Sequence, residues 1–138
     1  MAKKTRRILI IDDEESIRDG CQQILVRMGH DVESTGDAEH GLQLAQTNRF
    51  DLILLDVRLP KIEGLEILRM LKKEQTISAK IIIITGYGTI PLAVEAMRLG
   101  ARNFLTKPFG AGELRSAVQD SLVTARLGEH DDSLSMLI

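Results

Sequence analysis

Two hydrophobic periodicities alternate along the chain. Ile8-Leu9-Ile10-Ile11 is a short, unbroken apolar run that ends at Asp12-Asp13. Leu52-Ile53-Leu54-Leu55 repeats the design and ends at Asp56, and Ile81-Ile82-Ile83-Ile84 repeats it again before Thr85-Gly86. Aliphatic runs this short, stopped by polar residues, predict strands covered on both faces. Weaker strands are predicted at Asp31 to Ser34 and at Asn103 to Thr106. Between the strands lie stripes at helical spacing. Ile17, Cys21, Ile24, Leu25 and Met28 share one face, with Gly29 as the stop signal. Ala38, Leu42 and Ala45 form a second stripe, with Asp37 as N-cap. Leu65, Leu68 and Leu71 form a third. Ile90, Ala93, Val94 and Met97 form a fourth, started near Thr89-Ile90-Pro91 and stopped at Gly100. Leu114, Ala117, Val118, Leu122 and Ala125 form the fifth, stopped near Gly128.

Five strand–helix units in succession predict an α/β protein with a parallel sheet, helices on both faces and right-handed crossovers. They are too few for a closed eight-stranded barrel. The expected architecture is a (βα)5 three-layer sandwich of flavodoxin-like type, with strand order 2-1-3-4-5. The expected layout is a basic tail over 1–6, one domain over 7–127, and a tail or the start of a linker over 128–138.

Composition narrows the classes further. The 138 residues are 43% hydrophobic and 28% charged, which is ordinary for a globular domain with its own core. A net charge of −2 gives no footprint for direct nucleic-acid binding. Cys21 is the single cysteine, so no internal disulfide can form, and its place on an apolar stripe predicts a buried, inert thiol. No signal segment and no apolar run of membrane-spanning length is present. A soluble, cytoplasmic protein is the expectation.

Open parallel sheets bind ligands at the carboxyl ends of their strands, and the informative polar residues fall there. The first strand ends at Asp12 and Asp13, the third at Asp56, the fourth at Thr85 and the fifth at Lys107. Helix capping is the plain alternative for Asp12-Asp13. In the 2-1-3-4-5 order the first and third strands are neighbours, so the three carboxylates converge. They raise one another's pKa unless a cation intervenes. Mg²⁺ suits such a set, since it takes one or two carboxylates, waters and a phosphate oxygen. A carboxylate such as Asp56 can attack phosphorus to give an acyl phosphate. That chemistry needs in-line positioning and neutralised equatorial oxygens. Lys107 can neutralise as a point charge, and the Thr85 hydroxyl can donate. Lys107-Pro108 is a candidate cis peptide bond. Gly86-Tyr87-Gly88 lacks the third glycine of a dinucleotide fingerprint and reads as a loop that lets Thr85 move.

On these residues the sequence resembles the receiver domain of bacterial two-component response regulators, over about residues 6–127. The matching segments are Ile-Leu-Ile-Ile-Asp-Asp-Glu (8–14), Asp-Leu-Ile-Leu-Leu-Asp-Val-Arg-Leu-Pro (51–60) with Gly64, Ile-Thr-Gly-Tyr-Gly (84–88) and Phe-Leu-Thr-Lys-Pro-Phe (104–109). The run 85–101 looks like receivers of the NtrC type, which regulate σ54-dependent transcription, and of the FixJ type. The resemblance implies a CheY-like fold and a phosphoacceptor, not a turnover enzyme. It implies that Asp56 is phosphorylated, and that Asp12, Asp13, Asp56 and the backbone carbonyl of Arg58 bind Mg²⁺ or Mn²⁺. Thr85 and Lys107 would contact the phosphoryl group, and Phe104 would be the switch aromatic. Leu59 and Glu63 depart from the commoner residues at their positions without touching the chemistry. The implied partners are a histidine kinase and an output domain or target outside this chain; a phosphorylation-dependent homodimer is expected because the polar constellation adjoins the fourth helix, fifth strand and fifth helix. Transcription is the expected output. No Gly-x-x-x-x-Gly-Lys loop is present, so no ATPase domain lies in this sequence.

The main rival is a phosphatase resembling the haloacid dehalogenases. Its nucleophile ends the first strand and is followed two residues later by a second Asp, where this chain has Arg58. A flavin-binding module is a second rival, disfavoured by the scarcity of aromatics (Tyr87, three Phe and no Trp).

Overall fold

The computed structural model describes residues 5–134 except Pro60, Lys61, Gln75 and Tyr87, with side chains only as far as Val123. The two excepted loop residues of the matching segments, Pro60 and Tyr87, and most of the basic tail therefore lie outside the described residues, as does the stretch after Leu134. The elements alternate strictly: β1 (Arg7–Ile11), α1 (Glu15–Arg27), β2 (Asp31–Thr35), α2 (Ala38–Thr47), β3 (Leu52–Asp56), α3 (Gly64–Lys73), β4 (Lys80–Thr85), α4 (Ile90–Arg98), β5 (Asn103–Thr106) and α5 (Ala111–Leu134). The strands form one sheet in the order β2-β1-β3-β4-β5, and every pairing is parallel. This is the expected (βα)5 sandwich.

The continuous apolar runs follow from the two-residue period of a strand. Leu9, Ile11, Ile53, Leu55, Ile81 and Ile83 face a core layer completed by α2, α3 and α4. Their neighbours Ile8, Ile10, Leu52, Leu54, Ile82 and Ile84 face the opposite layer, completed by Cys21 and Leu25 of α1 and Leu114 and Val118 of α5. All twelve strand residues are fully buried. Burying a side chain of this kind contributes about 1.5–3 kcal/mol, so neither face tolerates a polar residue. The two weakly patterned strands, β2 and β5, are the edge strands. Edges are covered less completely, and only Thr35 among their residues is buried.

Helix ends follow local chemistry. Asp37 caps α2, its carboxylate accepting the His40 N–H at 3.3 Å. The Thr89 hydroxyl caps α4 by accepting the Leu92 N–H. Gly29 and Gly100 adopt φ of 94° and 107° just past α1 and α4. In each case the next residue's N–H bonds back five positions along the turn: His30 to the Leu25 carbonyl and Ala101 to the Ala96 carbonyl. This closure needs a left-handed residue, which glycine supplies at little cost. The expected stop near Gly128 does not occur, because α5 runs on to Leu134. One glycine costs a helix about 1 kcal/mol, which does not by itself end it.

Cys21 is 3% exposed, and burial pushes its thiol up to about 11. At pH 8 the native protein is therefore expected to resist alkylation by iodoacetamide and to react fully in denaturant. Rapid labelling of the native thiol, read by mass, would contradict its placement on the buried face of α1. Among the described residues no helix is long and apolar enough to cross a membrane.

Candidate functional site

Asp12 and Asp13 follow β1, Asp56 ends β3, and these two strands are paired neighbours. The topology brings one carboxylate oxygen from each of the three within 4.8 Å of the others. Lys107 arrives from β5 on the far side of β4. Its ammonium lies 2.8 Å from Asp12 Oδ2 and 3.3 Å from Asp56 Oδ2, and it also pairs with Glu14 Oε1. The Lys107–Pro108 bond is cis, as the sequence suggested. Asp56, Arg58, Gly86 and Lys107 line a cleft of about 810 Å³.

Asp12 is the most constrained member. Its N–H donates to the Thr35 carbonyl and its own carbonyl accepts from Arg18 Nη1 at 2.8 Å. Oδ1 accepts the Glu14 N–H at 2.9 Å. The capping alternative for Asp12 is thus partly realised. The position before α1 belongs to Glu14, whose side chain makes no cap bond, and Asp12 serves the turn with one oxygen while offering the other to the cleft. Asp56 is built the same way: Oδ1 accepts the Arg58 N–H at 3.0 Å, and Oδ2 faces Lys107.

The electrostatics follow from one cation divided among three acids. Burial, reinforced by the Asp56 charge, lifts the Asp12 carboxyl to about 6 despite the Lys107 and Glu14 hydrogen bonds. Burial alone would lower the Lys107 ammonium. Its hydrogen bonds to Asp12 and Glu14 and the charges of Asp12 and Asp56 outweigh that and hold it above the usual lysine range. The ammonium gains from every acid, whereas Asp12 gains only a share of it. The pocket therefore holds more negative charge than it can neutralise, and three hard oxygen donors with a deficit of positive charge fit a divalent cation.

Thr85 is fully buried at the end of β4. It stands beside Thr106 in the sheet, and its carbonyl accepts the Lys107 N–H at 2.7 Å. Alternation along β4 puts Thr85 on the face of Ile81 and Ile83, where Phe104 packs half-buried against the same layer. Asp12, Asp56 and Lys107 continue the opposite alternation. Asp12, Asp13, Asp56 and Lys107 gather at the carboxyl ends of the strands, where Thr85 also lies but on the α4 side; Phe104, paired with Ile83 inside β5, lies further back on that α4 side. The sequence did not single out Glu14 or Arg18. Glu14 follows two aspartates and looks like any exposed first-turn acid, and nothing in its spacing marks Lys107 as its partner.

Comparison with known proteins fits this geometry. A family model described as the response regulator receiver domain matches residues 8–119. The chain is 37% identical over 115 residues to the transcriptional regulatory protein FixJ of Bradyrhizobium diazoefficiens, covering 83% of this chain and 56% of that protein. It is 40% identical over 122 residues to the C4-dicarboxylate transport transcriptional regulatory protein DctD of Pseudomonas aeruginosa, covering 88% of this chain and 26% of that one. The chain thus spans between a quarter and somewhat over half the length of these relatives. A crystal structure of a CheY-like receiver domain protein from Methanospirillum hungatei superposes with a TM-score of 0.82 at 33% identity, covering 88% of this chain and 96% of that one.

Proposed function

The chain belongs to the response regulator receiver domain family, and from that premise we propose that Asp56 accepts a phosphoryl group from the phosphohistidine of a histidine kinase. The observation that carries this is the Lys107 ammonium bridging Asp12 and Asp56 at 2.8 and 3.3 Å beside Asp13. An Asp56 carboxylate oxygen attacks phosphorus. The P–N bond breaks, the imidazole leaves with the electron pair and is protonated, and an acyl phosphate remains on Asp56. Lys107 moves from carboxylate to phosphoryl oxygen, and the Thr85 hydroxyl donates to a second one. The Arg58 N–H keeps Asp56 Oδ1 oriented. Asp12, Asp13, Asp56 and the Arg58 carbonyl would hold Mg²⁺ or Mn²⁺, which would supply the remaining neutralisation of the phosphoryl oxygens. Incubation with a small phosphodonor and Mg²⁺ tests the reading: intact mass gains one phosphoryl group, chelation prevents it, and an unchanged mass would refute it.

Thr85 and Phe104 lie on the α4 side, so the signal leaves through α4, β5 and α5. Ile90, Val94 and Met97 of α4 are 80%, 50% and 46% exposed, with Arg98 beside them. Such a face suits a second copy of the chain or an output region of a longer regulator of transcription. The switching unit is residues 7–127, with 1–6 and 128–138 as flanks. Light scattering with and without a phosphoryl mimic is expected to show a rise in mass, and no rise would remove the dimer from the scheme.

Cation binding requires Asp12 to be ionised. Because its folded pKa lies near 6, Mg²⁺ affinity is expected to be flat above pH 7 and to fall as pH drops through 6, approaching about tenfold per unit. Calorimetric titration across that range checks the sign, and affinity independent of pH down to 5 would contradict it.

A further inference from the structure

Glu14 is the acid that the reaction just described leaves unused, although it forms the Lys107 ammonium's shortest ion pair. Its side chain is 55% exposed, whereas those of Asp12 and Asp56 are 0% and 3% exposed. Glu14 thus stands at the rim of the cleft, and the other two partners stand on its floor. Resting on the phosphoacceptor reading, we propose that Glu14 is a positioning residue that provides an alternative seat for the Lys107 ammonium, and so sets the balance between cation loading and phosphoryl contact.

Three carboxylates compete for a single amine. A divalent cation on Asp12, Asp13 and Asp56 draws on the same two floor carboxylates that Lys107 now holds. Among the described residues Glu14 is the one carboxylate paired with Lys107 besides Asp12 and Asp56, so without it the ammonium gives up both floor bonds with no ion pair in exchange. With Glu14 it keeps one ion pair at the rim while the floor is vacated. The same pair then opposes the next step, because Lys107 must leave Glu14 to reach a phosphoryl oxygen. Lys107 is a flexible point charge, so both seats lie within reach of one stem. Glu14 therefore assists the first event and resists the second.

Calorimetry on the intact chain tests this with Mg²⁺ and with beryllium trifluoride, a phosphoryl mimic, at saturating Mg²⁺. Glu14→Gln is expected to weaken Mg²⁺ binding and to tighten mimic binding, each by about two- to fivefold, the worth of one half-exposed ion pair. Plain loss of a negative charge would move both in the same directions, so the deciding measurement is the Lys107→Met background. There the effect of Glu14→Gln is expected to shrink to less than half for both ligands. Undiminished effects in that background would mean that the Glu14 charge acts directly on each ligand, attracting the cation and repelling the mimic, and would overturn the proposal. If Lys107→Met binds the mimic too weakly to measure, the Mg²⁺ arm decides alone. Failure of the unmutated protein to bind the mimic would instead sink the phosphoacceptor reading, so the two failures are separable.

Discussion

Asp56→Asn is expected to abolish phosphorylation by a small phosphodonor completely, with no gain in intact mass, while leaving the fold intact. The amide has no anionic oxygen to attack phosphorus and cannot form an acyl phosphate. Its shape is almost that of the carboxylate, and an Asn oxygen can still accept the Arg58 N–H that Asp56 Oδ1 accepts at 3.0 Å. Stability in the absence of a divalent cation is expected to hold or to rise. Asp12 and Asp56 now repel across a shared ammonium, and the Asp56 charge helps to lift the Asp12 carboxyl. Removing that charge brings Asp12 back down toward its ordinary range, which an NMR titration of the carboxyl carbons would report. A raised folded pKa means that the ionised form is the disfavoured one. The penalty on Asp12 therefore appears as pH rises through 6 and is absent below 4, and the variant is expected to lose part of that slope. A phosphorylated Asp56→Asn protein would place the acceptor elsewhere.

The second large effect is expected from a single methyl group. A Cβ added at Gly64 would collide with the Asp56 carbonyl oxygen and the Val57 Cα. These are backbone atoms at the end of a central strand, where Asp56 pairs with Ile84 of β4. The Gly64 N–H also donates to the Val57 carbonyl at 3.0 Å, so α3 begins in contact with the strand that carries the acceptor. Neither side has a flexible end that could yield. Gly64→Ala is expected to cost about 2–3 kcal/mol, the upper part of the range for overpacking. It is also expected to slow phosphorylation of the molecules that remain folded, because the displaced atoms include the Asp56 carbonyl group and the Cα of the next residue. Gly20 supplies the control. It lies inside α1, and a Cβ there meets nothing within 4 Å. Gly20→Ala is expected to stabilise by about 0.5–1 kcal/mol through helix propensity and a less flexible unfolded chain. Denaturant titrations of the two variants should move in opposite directions, and equal shifts would refute the packing argument at Gly64.

The run of exposed apolar residues on α4 shows how a helical stripe can mislead. Ile90, Ala93, Val94 and Met97 have core-like spacing, yet Ala96 is the one buried residue of α4. The periodicity located the helix, but the side that faces the core layer is the one carrying Ala96, with Leu92 packed against the same layer. The apolar positions that remain exposed are free to meet a partner.

What the sequence determined by itself is whatever depends on near neighbours. Strand positions followed from four-residue apolar runs, because a strand buried on both faces has no polar position. Helix ends followed from Asp37, Thr89, Gly29 and Gly100, because caps are made within a few residues. The acids at 12, 13 and 56 could be assigned to one place because the parallel topology fixes which strand ends adjoin. Tertiary structure alone decided how charge is shared there. Asp12 gives one oxygen to its own turn and one to the cleft, and Lys107 takes a third acid, Glu14, 93 residues away in sequence. Thr85 falls on the α4 face while the carboxylates fall on the other. The Lys107 contacts are distances of a few ångströms between groups that the chain separates by dozens of residues. The Coulomb energy that governs them depends on that separation in space and on burial, and neither is written in local order.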